Sequence, residues 1–516
     1  MATAAAAPPV HPLALSLSPG RRALITVAVM LGTLMQVLDT TIANVALPHM
    51  QTSLGATSET VSWVLTSYIV ASAIAIPITG WLADRIGRKP LFVSAVLVFT
   101  AASMLCAIAT SLPEMVLFRV FQGISGAFVP PLAQAVMLDI NTPERHARAM
   151  SVYGAGVVIG PILGPVLGGW LTDSFDWRWV FIVNLPVGII CTLMLLRFLP
   201  STPRSARRFD LFGFALLGLA LGGLQMMLDR GEHRSWFESW EIWLELGIAV
   251  SAGWMFVVHS FTARDPLFDL KMFRDRNFTT SLIVMGVVGF LMMAGLALLP
   301  PLLQQLMGYS VLQSGMLTAP RGIGTLISMT IAGRLLGRVD ARLLIFAGML
   351  LMAFSLWQMA GFSLDMGSRL VVVSGFIQGL GAGLIFIPMN VLAFATLAPH
   401  FRTSGAALVN LMRNLGGSVG ISMVVALLAR NLQISHSDLA SHITPESTPP
   451  LDPSVLGVLG DSGSRVMAML DAEINRQAAM IAYIDDFHLM MLITLACLPF
   501  VMLFRRPRRP SAPAAE

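Results

Sequence analysis

Asp39 is a carboxylate in the middle of an otherwise apolar stretch, residues 24–46. Such a run is typical of a membrane-spanning helix, where an ionised aspartate costs roughly 2.5 to 3.5 kcal/mol on insertion scales. No other carboxylate is expected at comparable depth in a span. Because burial favours the protonated form, this side chain is suited to carry a proton as each side of the membrane opens. The alternative is a structural aspartate that bonds backbone groups, Thr40 or Thr41.

Arg119 is a second charge inside an apolar stretch, residues 113–138. A guanidinium keeps its proton in proteins, so within a span it must contact a carboxylate, carbonyl oxygens or water. The sequence does not identify that partner. One interpretation is an anchoring role, in which Arg119 bonds backbone carbonyls and fixes the packing of its helix.

A stripe of four glycines recurs at every fourth residue: Gly156, Gly160, Gly164 and Gly168. This spacing leaves one face of a helix without side chains, so that another helix can approach closely. Pro161 and Pro165 each remove a backbone hydrogen bond and allow the helix to bend. The pattern predicts a closely packed, bendable helix.

Six polar side chains in apolar stretches could line a substrate cavity: Gln36, Asn44, Gln304, Gln378, Asn390 and Asn410. Hydrogen bonding between helices explains each of them individually, so both interpretations stay open. The chain also contains 32 methionines and 28 phenylalanines. Most should contact lipid or the core, but some would give a cavity adaptable apolar walls suited to varied lipophilic substrates.

The composition of the chain predicts an integral membrane protein. Of its 516 residues 55% are hydrophobic and 12% charged, and the mean hydropathy is +0.75, whereas soluble domains carry about 25% charged residues. Crossing about 30 Å of hydrocarbon takes about 20 apolar residues. Runs of that length predict an all-α polytopic fold with fourteen spans, near residues 24–46, 61–82, 90–111, 113–138, 148–172, 178–199, 210–229, 240–261, 278–300, 314–336, 343–362, 369–396, 404–430 and 486–505.

Residue types exclude several classes of function. The two lysines, Lys89 and Lys271, precede Pro90 and Met272, so no Walker A motif exists and ATP hydrolysis is ruled out. The chain contains no H-E-x-x-H or C-x-x-C motif, which argues against an enzyme. The net charge of +5 follows loops rather than a soluble face, so nucleic acid is not an expected partner. A proton gradient, with no cofactor, is expected to drive any transport.

Basic residues are distributed unevenly between the two sets of loops. With the N-terminus placed in the cytoplasm, 23 of the 33 lysines and arginines lie in cytoplasmic loops and tails. The positive-inside rule therefore predicts that both termini are cytoplasmic in a multi-pass protein of a cell membrane, with a bacterial inner membrane as the expected location. Residues 1–20 lack a cleavage-type signal and are predicted to be a disordered tail, and residues 506–516 form a second tail.

Segments of the chain recur at a nearly constant spacing, which predicts duplicated halves. Gly333 repeats Gly80 at an offset of 253 residues, and Gln378 repeats Gln122 at an offset of 256. The register leaves two extra spans between the halves. The predicted domains are an N-terminal six-helix half, two inserted helices and a C-terminal six-helix half, at residues 21–200, 201–265 and 266–505.

The sequence resembles the fourteen-helix drug/proton antiporters of the major facilitator superfamily, EmrB-like multidrug efflux transporters, over nearly the whole chain. The matching motifs lie at residues 38–48, 80–89, 119 with 122–123, 160–169 and 177–186. The resemblance implies the major facilitator fold, with two pseudo-symmetric six-helix halves and two inserted helices. It also associates the glycine stripe with exporters that work by antiport, and implies that Arg119 takes part in coupling proton movement.

The resemblance further implies a cytoplasmic gate in the turn between the second and third spans: Gly80, Asp84, Arg85, Gly87, Arg88 and Lys89. Charge pairs in such a turn can hold one conformation and release in another. The alternative is that its basic residues only set the orientation in the membrane.

Residues 431–485 are the longest predicted outside loop. Apolar residues recur there at helical spacings, at Val466, Leu470, Ile474, Ala478 and Ile481, which predicts an amphipathic helix. This helix could rest on membrane lipid, cap the cavity or contact a periplasmic adaptor protein. A passive linker is the alternative.

The leading hypothesis is proton-coupled export of lipophilic or amphipathic drugs by alternating access. A first alternative is a superfamily exporter of a specific metabolite, lipid or siderophore, in which Arg321 and Arg413 would hold an anionic group. A second is a membrane receptor or scaffold that keeps the fold without transport; the complete glycine motif argues against it.

Overall fold

The computed structural model describes residues 17–57, 60–202, 204, 208–336, 338–442 and 461–505. These residues form long α-helices joined by short connections, and their one β feature is an isolated bridge between Leu336 and Val339. Helices suit a chain that crosses lipid because each helix bonds its own backbone groups. The predicted tails fall almost wholly outside the described residues, except that Ser18 caps the first helix.

Six long helices make up the first part of the chain: α1 (Pro19–Ser53), α2 (Trp63–Ile86), α3 (Arg88–Ile108), α4 (Leu112–Asp139), α5 (His146–Ser174) and α6 (Trp179–Phe198). Within α2, a 3-10 turn at Ile76–Ile78 accommodates Pro77. Gly87, with φ of 94°, separates α2 from α3, and the left-handed backbone there favours glycine.

Two further helices follow, α7 (Leu211–Arg230) and α8 (Trp240–Thr262). The last part of the chain contains α9 (Arg276–Pro301), which continues into a π-helical turn at Leu302–Leu306, then α10 (Val311–Leu335), α11 (Ala341–Met359), α12 (Ser368–Ala395), α13 (Arg402–Ser441) and α14 (Asp461–Val501).

The chain is a multi-pass membrane protein. Thirteen of these helices are long and apolar enough to cross a membrane. The remaining one is α10, a helix of 25 residues that contains Arg321 and Arg334. It packs against α5 and α12, and this protein contact explains how the helix tolerates a lower apolar content than its neighbours.

Helix pairing repeats between the first six and the last six helices. In the first set α1 packs on α5 and α6, and α4 packs on α2 and α3. The equivalent contacts in the second set join α9 to α13 and α14, and α12 to α10 and α11. The two sets meet through α5 against α10 and through α2 and α4 against α13. This arrangement is the predicted pair of pseudo-symmetric six-helix halves.

The two inserted helices pack on each other outside this pattern. α8 is the least buried candidate span, with 22% of its apolar window covered. α7 packs on α2 and also contacts α13, so it lies along the seam between the halves. The prediction that both helices are peripheral fits α8 more closely than α7.

The prediction of a long loop over residues 431–485 is wrong at both of its ends. α13 continues to Ser441, because residues 430–441 contain neither glycine nor proline and extend the helix in polar form. α14 begins at Asp461, so the predicted amphipathic helix forms its first part, joined without interruption to the apolar part. Residues 443–460 lie outside the described residues. A hydrogen bond of 3.1 Å between His436 and Asp471 connects the two extensions.

Candidate functional site

Asp39 lies at the centre of a buried polar cluster between α1, α4 and α6. Its side chain is 1% exposed. Oδ2 accepts a hydrogen bond of 2.7 Å from Arg119 Nη1, and Oδ1 accepts bonds of 2.7 Å from Gln122 Nε2 and 2.9 Å from Asn184 Nδ2. One charged and two neutral donors therefore surround this carboxyl group.

Arg119 is fully buried, and its partner is Asp39. Besides this ion pair, Nη1 donates to Gln122 Oε1 at 2.8 Å and Nε donates to the carbonyl oxygen of Val64 on α2 at 2.9 Å. The guanidinium also lies 4.4 Å from the centre of the Tyr68 ring. Arg119 thus bonds both a backbone carbonyl and the buried acid, and its role in anchoring or in proton coupling stays a prediction.

Gln122, Asn184 and Ser103 complete the cluster, and sequence reasoning assigned them no role. Asn184 also donates to Ser103 Oγ at 3.0 Å, and that hydroxyl donates to the carbonyl oxygen of Phe181 at 2.9 Å. Gln122 and Asn184 belong to the motifs that carried the family resemblance. Their position as polar residues inside apolar runs was the signal for a buried site.

The polar residues predicted to line one cavity are dispersed in this conformation. Gln36 donates to the Tyr68 hydroxyl at 3.0 Å and so reaches the Arg119 cluster. Asn410 Nδ2 donates to Gln134 Oε1 at 3.1 Å, a bond that crosses from α13 to α4 between the halves. Asn44 is exposed.

Gln378 and Asn390 are buried on α12, while Gln304 is partly exposed in the π-helical turn. Among the described residues, no hydrogen bond joins any two of the six predicted lining residues. A single polar cavity built from this set stays a prediction.

The glycine stripe of α5 packs directly on α1. A Cβ added at Gly156 would lie 3.2 Å from Met30 Cε, and one at Gly168 would lie 3.1 Å from Ile42 Cγ2. At Gly160 the added atom would meet Val37, and at Gly164 it would overlap the Thr41 side chain.

These α1 contacts flank Asp39 on both sides along the helix. Movement of α5 along the stripe would therefore be transmitted to the helix that carries the buried acid. Pro161 lies within continuous α5, whereas the side chain of Pro165 lies outside the described part.

The predicted gate forms a contact between the halves. A Cβ at Gly80 would lie 3.0 Å from the Cα of Ser404 at the start of α13, so only glycine permits this approach. Arg88 forms an ion pair with Asp139, the last residue of α4. Arg402 Nη1, from the other half, lies 3.2 Å from the second oxygen of Asp139.

The other gate residues have separate environments. Lys89 Nζ donates to the carbonyl oxygen of Leu196 at 2.7 Å, Asp84 interacts electrostatically with Arg88, and Arg85 is exposed. Sequence reasoning missed Asp139, because it lies just beyond the predicted end of its span. Its position as a carboxylate that ends an apolar run was the available signal.

A family model described as "Major Facilitator Superfamily" matches residues 29–421. Among curated proteins, the fatty acid resistance protein FarB of Neisseria gonorrhoeae is 34% identical over 487 residues, covering 94% of this chain and 96% of FarB. The multidrug export protein EmrB of Escherichia coli K12 is 34% identical over 493 residues, covering 94% of this chain and 95% of EmrB.

Two solved structures are similar in fold. The human organic anion transporter MFSD10 has a TM-score of 0.59 at 17% identity, covering 93% of this chain and all of that chain. The proton:xylose symporter XylE has a TM-score of 0.59 at 14% identity, covering 93% of this chain and 96% of that chain.

Proposed function

The chain belongs to the major facilitator superfamily of transporters, which are not enzymes, and from this premise we propose that it is a proton-coupled antiporter. It would export lipophilic or amphipathic drugs across the bacterial inner membrane by alternating access, with both termini in the cytoplasm. The observation that carries the proposal is the buried ion pair between Asp39 and Arg119 at 2.7 Å. No cofactor is required, because the proton gradient drives the cycle.

Protonation of Asp39 would remove the charge that Arg119 neutralises. Loss of one partner of a buried ion pair typically costs about 3 to 5 kcal/mol, because the other charge stays buried without compensation. This free-energy cost would destabilise the packing of α1 against α4 relative to a conformation open to the other side of the membrane. Proton binding and the change of access would thereby be linked.

The names of the relatives support the substrate class, since EmrB is described as a multidrug export protein. The glycine stripe supports alternating movement, because it lets α5 slide against the helix that carries Asp39. The distribution of basic residues supports the orientation. A receptor or scaffold without transport would need neither a buried proton site nor this interface.

We also propose two kinds of partner besides substrate and protons. Large apolar side chains on α8, such as Trp240, Trp254 and Phe261, are exposed and would contact membrane lipid. The extensions of α13 and α14 would lie on the outer side, where they offer a surface to a periplasmic adaptor protein.

A second candidate function is export of a specific metabolite, lipid or siderophore with an anionic group. Arg413 Nη2 donates to Asn410 Oδ1 at 2.9 Å, and Arg321 Nη2 lies 3.5 Å from the carbonyl oxygen of Met292. Among the described residues, neither arginine forms an ion pair with a carboxylate. The name of FarB, a fatty acid resistance protein, favours an anionic lipid as the compound to test.

The test is pH-jump-driven uptake into inverted vesicles, with cationic dyes, neutral drugs and fatty acids as a panel. Wild-type protein should accumulate the cationic or neutral compounds against their gradient, and Asp39→Asn should not. Counterflow across the same panel separates broad export from the second candidate, which requires uptake of the anionic compounds alone. Accumulation by purified Asp39→Asn, driven by pH alone, would refute the role of Asp39.

A further inference from the structure

Asp486 is a second buried carboxyl group inside a candidate span. It lies in α14, within the span Ala468–Val501, and its side chain is 1% exposed. Neither carboxyl oxygen has a hydrogen-bond partner among the residues that the structure describes. Asp39, in contrast, accepts three hydrogen bonds and pairs with an arginine. The two buried acids therefore occupy opposite electrostatic environments.

The depth of Asp486 follows from helix geometry. It precedes Val501 by 15 residues, or about 22 Å along the helix at 1.5 Å per residue. The next residue, Phe487, contacts Phe362 in the connection between α11 and α12, with ring centres 5.8 Å apart. That connection lies on the predicted outer side, so Asp486 lies in the outer part of the candidate span.

The charged and titratable groups around Asp486 provide no positive partner. On α14 itself, Asp485 is exposed and would add like charge, Tyr483 is buried and His488 is exposed, and the connection that contains Phe362 also contains exposed Asp365. The packed helices α11 and α9 contain only Arg342 and Arg276, each at its first turn, and the turn Leu302–Leu306 contains no charged residue. The titratable residues of α13 are Arg402, Arg413, Arg430, His436 and Asp438. None of these residues forms an ion pair with Asp486 among the described contacts.

An ionised carboxylate without a hydrogen-bond donor is strongly disfavoured in a buried site. The neutral acid avoids most of that cost, so the geometry favours protonated Asp486 in this conformation. A neutral acid held between helices that must move during alternating access would meet water when those helices separate. Contact with water stabilises the carboxylate and allows the proton to leave.

We propose that Asp486 is a second protonation site, located in the C-terminal half. It holds a proton in the described conformation and releases it to the outer side when α14 moves relative to α11 and α13. The ligand of the site is a proton alone. The protonation site itself does not depend on the role of Asp39 and goes beyond the proposed function, whereas the release step rests on the alternating access proposed above.

Infrared difference spectroscopy on the purified full-length protein tests the site directly. A jump from acid to alkaline pH should decrease the carbonyl band of a protonated, apolar carboxylic acid. Asp486→Asn should lose that band, whereas Asp485→Asn should keep it, because Asp485 is its exposed neighbour on the same helix. Asparagine has almost the same shape as aspartate, and thermal unfolding of each variant checks that it is folded.

Three results would overturn the proposal: a wild-type spectrum without the band change, an unchanged spectrum in Asp486→Asn, or equal loss in Asp485→Asn. An acid that stays protonated throughout gives the first result. Asp39→Asn should keep the Asp486 band, so the measurement remains decisive even if proton-driven export fails. In vesicles, Asp486→Asn should reduce the number of protons exchanged per substrate, and an unchanged number would contradict the release step.

Discussion

Asn184 provides a neutral hydrogen bond to the Asp39 carboxylate, and its removal should change the pH dependence of transport. In Asn184→Ala the carboxylate loses a donor at 2.9 Å, while the ion pair with Arg119 remains. A hydrogen bond to a charged group contributes about 1.5 to 3 kcal/mol. The carboxylate becomes less stable relative to the acid, so half-maximal transport should move to higher pH.

Initial uptake rates in vesicles, measured over a series of pH values, check this prediction. Asn277→Ala is the matched control, since its buried side-chain nitrogen bonds the carbonyl oxygen of Arg505 rather than the acid. A shift to lower pH in Asn184→Ala would contradict the assigned direction of the hydrogen bond. Equal shifts in both variants would indicate a general effect of removing buried amides.

Single buried charges could be predicted from the sequence, but their pairing could not. Asp39 and Arg119 are conspicuous because charges are rare in apolar runs. Their contact joins residues 80 positions apart, and it depends on how α1 and α4 pack. The sequence does not identify Asp486 as a buried acid, because the predicted span begins at that residue, whereas α14 begins 25 residues earlier.

At the scale of helices, the interface between α1 and α5 should be sensitive to side-chain size. In Gly164→Leu the new side chain would overlap Thr41, two residues beyond Asp39, and hold the helices apart. Overpacking of this kind typically costs about 1 to 3 kcal/mol. The protein should still insert, but transport should fall more than expression. Vesicle uptake normalised to the amount of folded protein checks this prediction.

Gly169 gives a control on the same helix, because a Cβ added there has no atom within 4 Å. Gly169→Leu should keep transport near wild type at equal expression. If Gly164→Leu loses expression and transport in equal proportion, the stripe is a folding element only. If both variants lose transport equally, the loss is not caused by the changed packing of α5 on α1.

Helix type and number were predictable, but helix ends in polar segments were not. Apolar runs of about 20 residues identify spans because lipid imposes that length. Hydropathy does not fix the length of a helix outside the membrane, so the sequence predicts a loop where the polar end of α13 continues the helix. α13 has 40 residues, about 60 Å of helix, and is therefore twice as long as the hydrocarbon core requires.

At the scale of the whole molecule, Asp139 connects the two halves through Arg88 and Arg402. Asp139→Asn should leave buried Arg402 without its counter-charge and Arg88 with only its interaction with Asp84, which should destabilise this conformation by about 3 to 5 kcal/mol. The halves should separate at this contact more often. Hydrogen exchange should therefore become faster at the C-terminal end of α2 and at the first turn of α13, together with a lower thermal unfolding midpoint.

Asp176→Asn is the control for this charge removal, since Asp176 is about half exposed and lies 3.5 Å from Arg178. Exposed pairs contribute at most about 1 kcal/mol, so exchange at α2 and α13 should be unchanged. Unaltered exchange in Asp139→Asn would show that the halves are held together elsewhere.

The inserted helices should support the transporter without belonging to the translocation pathway. Glu245 of α8 accepts a bond of 2.8 Å from Arg230 of α7, and Arg230 also pairs with Glu241 at 2.5 Å. In Glu245→Gln the arginine keeps one carboxylate and a hydrogen-bond acceptor. The contact between α7 and α8 should therefore survive the loss of one charge.

Proton-driven export by Glu245→Gln should consequently stay within a few-fold of wild type, measured in the same vesicles that separate wild type from Asp39→Asn. The expectation is not trivial, because α7 contacts both α2 and α13 and could sense their relative movement. If Glu245→Gln exchanges substrate in counterflow but no longer accumulates it in a pH gradient, the inserted pair takes part in coupling. The transporter would then work as one unit of eight helices, α1 to α8, and one of six, α9 to α14, because α7 would move with the first half.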